Sequence, residues 1–114
     1  MGSPRTLDSF EPGAIIYIAG PMSGYPDFNF PEFNRAARDL RKLGLVPVNP
    51  ADKFGGAQWL DHTTYMRFSI AELLHCDGVY VLRGSGMSKG ATAELVVAEA
   101  LGFPVVWQED KGGE

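Results

Sequence analysis

Among the 114 residues of this chain, Glu94 is the side chain best placed to do chemistry. Ala91, Glu94, Val97, Ala98 and Leu101 recur at the i, i+3, i+4, i+7 spacing of one helical stripe. That phase turns the Glu94 carboxylate inward and leaves Glu99 facing water. A carboxylate is seldom buried without a partner, because desolvating its charge is costly. Two arrangements meet that constraint: Glu94 borders a ligand crevice one turn into its helix, or it pairs with Arg67 or Arg83. Ser88 stands at the start of the same helix. Its hydroxyl, with the free N–H groups of a first turn, makes a phosphate or sugar-hydroxyl site. As a structural feature alone it is an N-cap.

Two glycine-rich loops accompany these residues, Gly20-Pro21-Met22-Ser23-Gly24 and the stretch from Gly84 to Gly90. The second is not a P-loop, since Lys89 is followed by Gly90, and it lacks the third glycine of a dinucleotide fingerprint. Tyr25, Phe28 and Trp59 are either base-stacking groups or satellite core. Asn49 makes a turn with Pro50, and Asp77 marks the turn before a strand. His62 and His75 have no metal-ligand spacing with other His or Cys residues. Neither a metal nor another cofactor is expected.

The elements that must position these groups alternate between strand and helix, the pattern of a parallel α/β sheet. Strands are expected at Ile15–Ala19, Leu45–Val48, Gly78–Leu82 and Pro104–Trp107. The first is apolar throughout, as a strand covered on both faces must be. A helix opens at Asn29-Phe30-Pro31-Glu32, where Asn29 caps and Glu32 completes a capping box. It buries Phe33, Ala36, Ala37, Leu40 and Leu43 and stops at Gly44. The stretch 51–62 lacks periodicity and reads as a surface loop. A second helix starts at Asp61 or Thr63 with the stripe Met66, Ser69, Ile70, Leu73 and Leu74, and a third covers about 91–101. The architecture expected is a single doubly wound, Rossmann-like parallel sheet of four strands in the order 2-1-3-4, with helices on both faces. The domain spans 14–108, after a flexible lead at 1–13 and before a polar tail at 109–114. Ligands of such sheets sit beyond the carboxyl ends of the strands where the order reverses, which is where both glycine loops leave strands one and three.

Composition bounds the partners. Hydrophobic residues make up 45% and charged residues 21%, with a net charge of −4, a globular balance that argues against gripping a nucleic acid polymer or an anionic membrane. The apolar runs are too short to span a membrane and no signal peptide is evident. Cys76 is the single cysteine, which excludes an internal disulfide and fits a reducing, cytoplasmic location.

The ordered set Ile16-Tyr17-Ile18-Ala19-Gly20-Pro21-Met22-Ser23-Gly24, Asn29-Phe30-Pro31-Glu32-Phe33, Asn49-Pro50, Cys76-Asp77-Gly78 and Ser88-Lys89-Gly90-Ala91-x-x-Glu94 resembles a phage and bacterial family of unknown function. That family is similar to the nucleoside 2-deoxyribosyltransferase superfamily. The resemblance implies Glu94 as nucleophile at C1′ of the sugar, with a covalent sugar ester released by water or by a second base. Serine six residues before the glutamate, here Ser88, implies a nucleoside 5′-monophosphate. Substrate would be lined by Tyr17, Gly20, Pro21, Ser23 and Gly24, with Asn49, Asp77, Ser88 and Gly90. A homodimer or higher homo-oligomer is implied too. Ser69 departs from the pattern: members carry an aspartate there that orients the nucleophile, and serine hydrogen-bonds without supplying charge. Ser23 likewise replaces a first-loop arginine. These departures keep a second reading open, a non-catalytic nucleotide-binding or sequestering module that uses the same crevice.

Overall fold

A central strand that is apolar on both sides needs cover on both sides, and the chain supplies it from two directions. The computed structural model describes residues 6–22, 24–53 and 61–108. Its strands are β1 (Ile15–Ala19), β2 (Val46–Val48), β3 (Gly78–Val81) and β4 (Val105–Trp107). Its helices are α1 (Phe30–Lys42), the one-turn α2 (Pro50–Lys53), α3 (His62–Leu73) and α4 (Lys89–Ala100). All strand pairings are parallel, in the order β2-β1-β3-β4, as the strand–helix alternation predicts.

The period of two in β1 sorts its side chains between two cores. Ile16 and Ile18 join Phe33, Ala36, Ala37 and Leu40 of α1 on one face. Tyr17 and Ala19 face the other way, toward Leu73 and Ala98 of α3 and α4. After β1 the chain steps outward to β2, and after β2 it crosses back over β1 to β3. Crossovers of one hand but opposite direction put their helices on opposite faces. The order therefore reverses between β1 and β3, paired from Ile16↔Gly78 to Ala19↔Val81.

Several local expectations change. Asn29 is the N-cap of α1, but its backbone is left-handed and its side chain makes no cap bond. Its Nδ2 donates instead to the Pro21 carbonyl at 3.0 Å, so the side chain ties down the β1–α1 loop rather than closing a capping box. Asp27, Phe28 and Asn29 all have positive φ, between 52° and 63°, a run that L residues adopt only at a cost. Leu43, Leu74 and Leu101 were expected on buried stripes, yet each is about half exposed. All three are helix C-caps, where the chain is leaving the helix and helical phase no longer sets direction. Within the expected loop, residues 50–53 form a helical turn, begun by Asn49 Oδ1 accepting from the Ala51 N–H at 3.1 Å. Residues 54–60, and with them Trp59, lie outside the described residues.

The expected lead at 1–13 also differs. From Thr6 onward it is described, with a 3-10 turn at Leu7–Ser9. Leu7 and Phe10 pack against the α1-side core. The Phe10 ring occupies the space where a Cβ on Gly78 would fall, 2.5 Å away. No side chain fits at 78 while that ring closes the lower end of the sheet.

Candidate active site

Glu94 is buried, with 4% of its surface exposed. Its Oε2 accepts a hydrogen bond of 2.6 Å from the Tyr17 hydroxyl. The two meet because Tyr17 projects from the α3/α4 side of β1 while Glu94 projects from α4 onto it. Burial drives the Glu94 carboxyl up from its ordinary range to about 7, and hydrogen bonds from Tyr17 and Ser69 act against that rise. Tyr17 is pushed well above the ordinary tyrosine range, first by burial and then by the Glu94 charge. It therefore stays a donor. Ser69 on α3, 1% exposed, lies beside the pair with its hydroxyl directed to the Met66 carbonyl at 3.2 Å, so hydroxyl groups rather than Arg67 or Arg83 surround Glu94. An uncharged pair of donors holds the carboxylate without neutralising it.

Above this cluster, at the carboxyl ends of β1 and β3, lies a cavity of about 450 Å³. That volume is within the range of small-molecule sites. Gly20, Pro21 and Met22 form one side, and Ser88, Gly90 and Glu94 of the α4 end form another. Gly20 is packed so closely on Leu82 that a Cβ there would sit 2.8 Å from Leu82 Cδ1. Ser88 caps α4, its Oγ accepting from the Ala91 N–H at 3.1 Å. The cap reading of Ser88 thus holds, and the same residue also faces the cavity.

The sequence-derived site divides in the structure. Glu94, Gly20, Pro21, Ser88 and Gly90 come together on the cavity wall. Tyr17 and Ser69 lie behind it, as positioning groups for Glu94. Asn49 is buried at the end of β2, where its Nδ2 donates to Asn34 Oδ1 at 2.9 Å. Gly24 is exposed, with φ of 83°. Neither Asn49 nor Gly24 reaches the wall. Asp77 sits at the opposite, amino end of the sheet, its Oδ2 accepting from the Ile15 N–H at 2.8 Å; there the turn reading is the one that fits. Ser23 lies outside the described residues.

Sequence reasoning missed part of the wall. His62 and Tyr65 of α3 line the cavity, as does Lys89, while Tyr25, a base-stacking candidate from sequence, lies on the wall too. His62, Tyr65 and Ser69 recur at i, i+3, i+7, a polar stripe that runs along α3 toward the sheet mouth. That spacing is legible in the sequence, but it shares α3 with the apolar stripe beginning at Met66. Tyr65 Oη lies 3.6 Å from Met22 Sδ, and burial followed by the Glu94 charge holds its phenol above the ordinary range. Cys76 is far less reactive than a free thiol, since burial and then the nearby acids Glu72 and Asp77 push it up to about 12. Among the described residues no cluster of His, Cys, Asp and Glu could hold a metal ion. No helix among them is long and apolar enough to cross a membrane.

The family described as a domain of unknown function, DUF4406, matches residues 14–107. No curated protein matches the chain.

Proposed function

The chain belongs to the DUF4406 family, and we propose that it cleaves the N-glycosidic bond of a nucleoside 5′-monophosphate with Glu94 as the nucleophile. The observation that carries this reading is a buried carboxylate, held by Tyr17 at 2.6 Å, forming part of a cavity wall at the strand ends. The similarity of the sequence motifs to the nucleoside 2-deoxyribosyltransferase superfamily supports it as well.

In the first step a Glu94 oxygen bonds to C1′ while the C1′–N bond breaks, and the base leaves with the electron pair and takes up one proton from its surroundings. In the second, water attacks C1′ and gives one proton back, the ester bond to Glu94 breaks, and the carboxylate is restored. A second base in place of water gives transfer instead of hydrolysis. Tyr17 and Ser69 orient the attacking oxygen and keep it ionisable inside a dry layer. Ser88 would meet the 5′-phosphate. A homodimer and a cytoplasmic setting belong to the same proposal; Phe68, Val96 and Trp107, each more than half exposed, offer apolar surface for pairing.

The test is incubation with a panel of ribo- and deoxyribonucleoside 5′-monophosphates, with free base read by chromatography. Base release by the wild type and its loss in Glu94→Gln is the expected result. Release no greater than in buffer for every nucleotide would sink the enzyme reading. A second reading, a non-catalytic nucleotide-binding module, is favoured by one feature: Glu94 is the cavity's sole carboxylate among the described residues, with Ser69 beside it instead of an acid. Thermal stabilisation by a nucleotide without any product distinguishes it, since ligand at a hundred times its Kd adds about 2.7 kcal/mol.

A further inference from the structure

Attack by Glu94 leaves a problem at the other end of the bond. A purine or pyrimidine departs poorly as an anion, so the nitrogen that receives the electron pair also needs a proton. Ser88, Tyr25, Tyr65, Lys89 and His62 are the wall groups besides Glu94 that carry a side-chain proton. Ser88 is a weakly acidic alcohol. Tyr65 is held above the ordinary phenol range by burial and by Glu94. Imidazole is the side chain suited to hold and yield a proton near neutrality.

One imidazole stands on the same cavity wall as Glu94. His62 is the first residue of α3, on the cavity wall. A Cβ built on Gly90 would lie 3.7 Å from His62 Cε1 and 3.3 Å from Met66 Sδ. The ring therefore rests against the first turn of α4, at ordinary contact distance from the Gly90 position. Gly90 and Glu94 are four residues apart on α4, neighbours on one helix face whose Cβ positions are about 5–6 Å apart. His62 is solvent-exposed on its outer side, so it can exchange protons with bulk water between turnovers.

We propose that His62 is the general acid and base of the reaction, an inference that rests on the glycosidase reading of Glu94. As the C1′–N bond breaks, the imidazolium N–H gives its proton to the departing base, which leaves neutral. The neutral imidazole then takes a proton from the water that attacks C1′, as the ester bond to Glu94 breaks. The sum is nucleotide plus water giving free base plus sugar phosphate.

The experiment compares His62→Gln with wild type on two substrates. One is the nucleotide that the wild type cleaves; the other is the same sugar 5-phosphate joined to 4-nitrophenol, which departs without needing a proton. The expected result is a kcat/KM loss of about a hundredfold or more on the nucleotide and less than about threefold on the nitrophenyl compound, because kcat/KM reads the leaving-group step and not the later attack of water. Equal losses on both substrates would mean that His62 holds the phosphate or the fold instead, and no loss on either would mean that it has no role; each overturns the proposal. A wild type that releases neither base nor nitrophenol overturns the underlying glycosidase reading, a failure visible before any His62 variant is compared. Thermal melting of His62→Gln checks that the variant is folded, as expected for an exposed position.

Discussion

The Tyr17 hydroxyl and the Glu94 carboxylate, 77 positions apart in the chain, meet at 2.6 Å. This bond joins the central strand to the helix that carries the proposed nucleophile, and it is made between two groups that are almost wholly buried. The carboxylate is thus fixed from below while its upper side faces the cavity.

Removing that donor should weaken the ionised form of Glu94. Tyr17→Phe is expected to move the midpoint of the rate-against-pH curve upward from about 7 and to lower base release at pH 7 by roughly tenfold. Ser69→Ala should move it in the same direction by less, since the Tyr17 bond is the larger of the two opposing influences. A curve unmoved by Tyr17→Phe would show that the bond does not tune Glu94.

Stability should carry the mark of the same residue. Folding raises the Glu94 carboxyl from 4.5 to about 7, so the folded state binds the proton more tightly than the unfolded state. The contribution is therefore fully present below about pH 4.5 and lost as pH rises through about 7. Glu94→Gln keeps the shape without the charge. It is expected to match wild type near pH 4 and to exceed it at pH 8 by on the order of 3 kcal/mol, read from denaturant midpoints. Equal stability at both pH values would contradict a buried, ionising carboxylate.

Asp77 should behave as a structural residue. Its bond to the Ile15 N–H, 2.8 Å long, is at the amino end of β1, away from the cavity. Asp77→Ala is expected to cost about 1 kcal/mol of stability and to leave the KM for nucleotide unchanged. A rise in KM without loss of stability would return Asp77 to the substrate site.

Two glycines should resist substitution for lack of space. A methyl on Gly78 would strike the Phe10 ring at 2.5 Å and approach the Pro104 carbonyl at 3.2 Å, whereas the atoms nearest to one on Gly20 belong to the Leu82 side chain, from 2.8 Å. Each alanine variant is expected to lose about 1–3 kcal/mol, Gly78→Ala the more because a carbonyl cannot rotate away. Gly20→Ala should also depress nucleotide binding, since Gly20 lines the cavity. Melting temperatures and KM values for the pair decide this.

The sequence by itself determined the architecture and the centre of the site. The all-apolar run at Ile15–Ala19, the glycine stops and the strand–helix alternation were sufficient for a parallel α/β sheet, and a common order for such a sheet, β2-β1-β3-β4, is the one observed. Helical phase was sufficient to place Glu94 inward, because i, i+3, i+4 spacing is a local property that needs no knowledge of the rest of the chain. Ser88 as a cap and Asp61 as the start of α3, where its Oδ1 accepts from the Thr64 N–H at 2.7 Å, were legible for the same reason. Tertiary structure alone decided what surrounds the carboxylate. Tyr17 was expected to touch substrate and instead sits beneath Glu94, since strand alternation gives a side but not the partner waiting there. Asp77 and Asn49 were placed against substrate by the resemblance alone; their positions before β3 and after the edge strand β2 keep them from the cavity wall. His62 and Tyr65 entered it because the packing of α3 against α4 brings the amino ends of two helices to one cavity. Contacts between distant segments depend on how helices pack, and no local spacing encodes that.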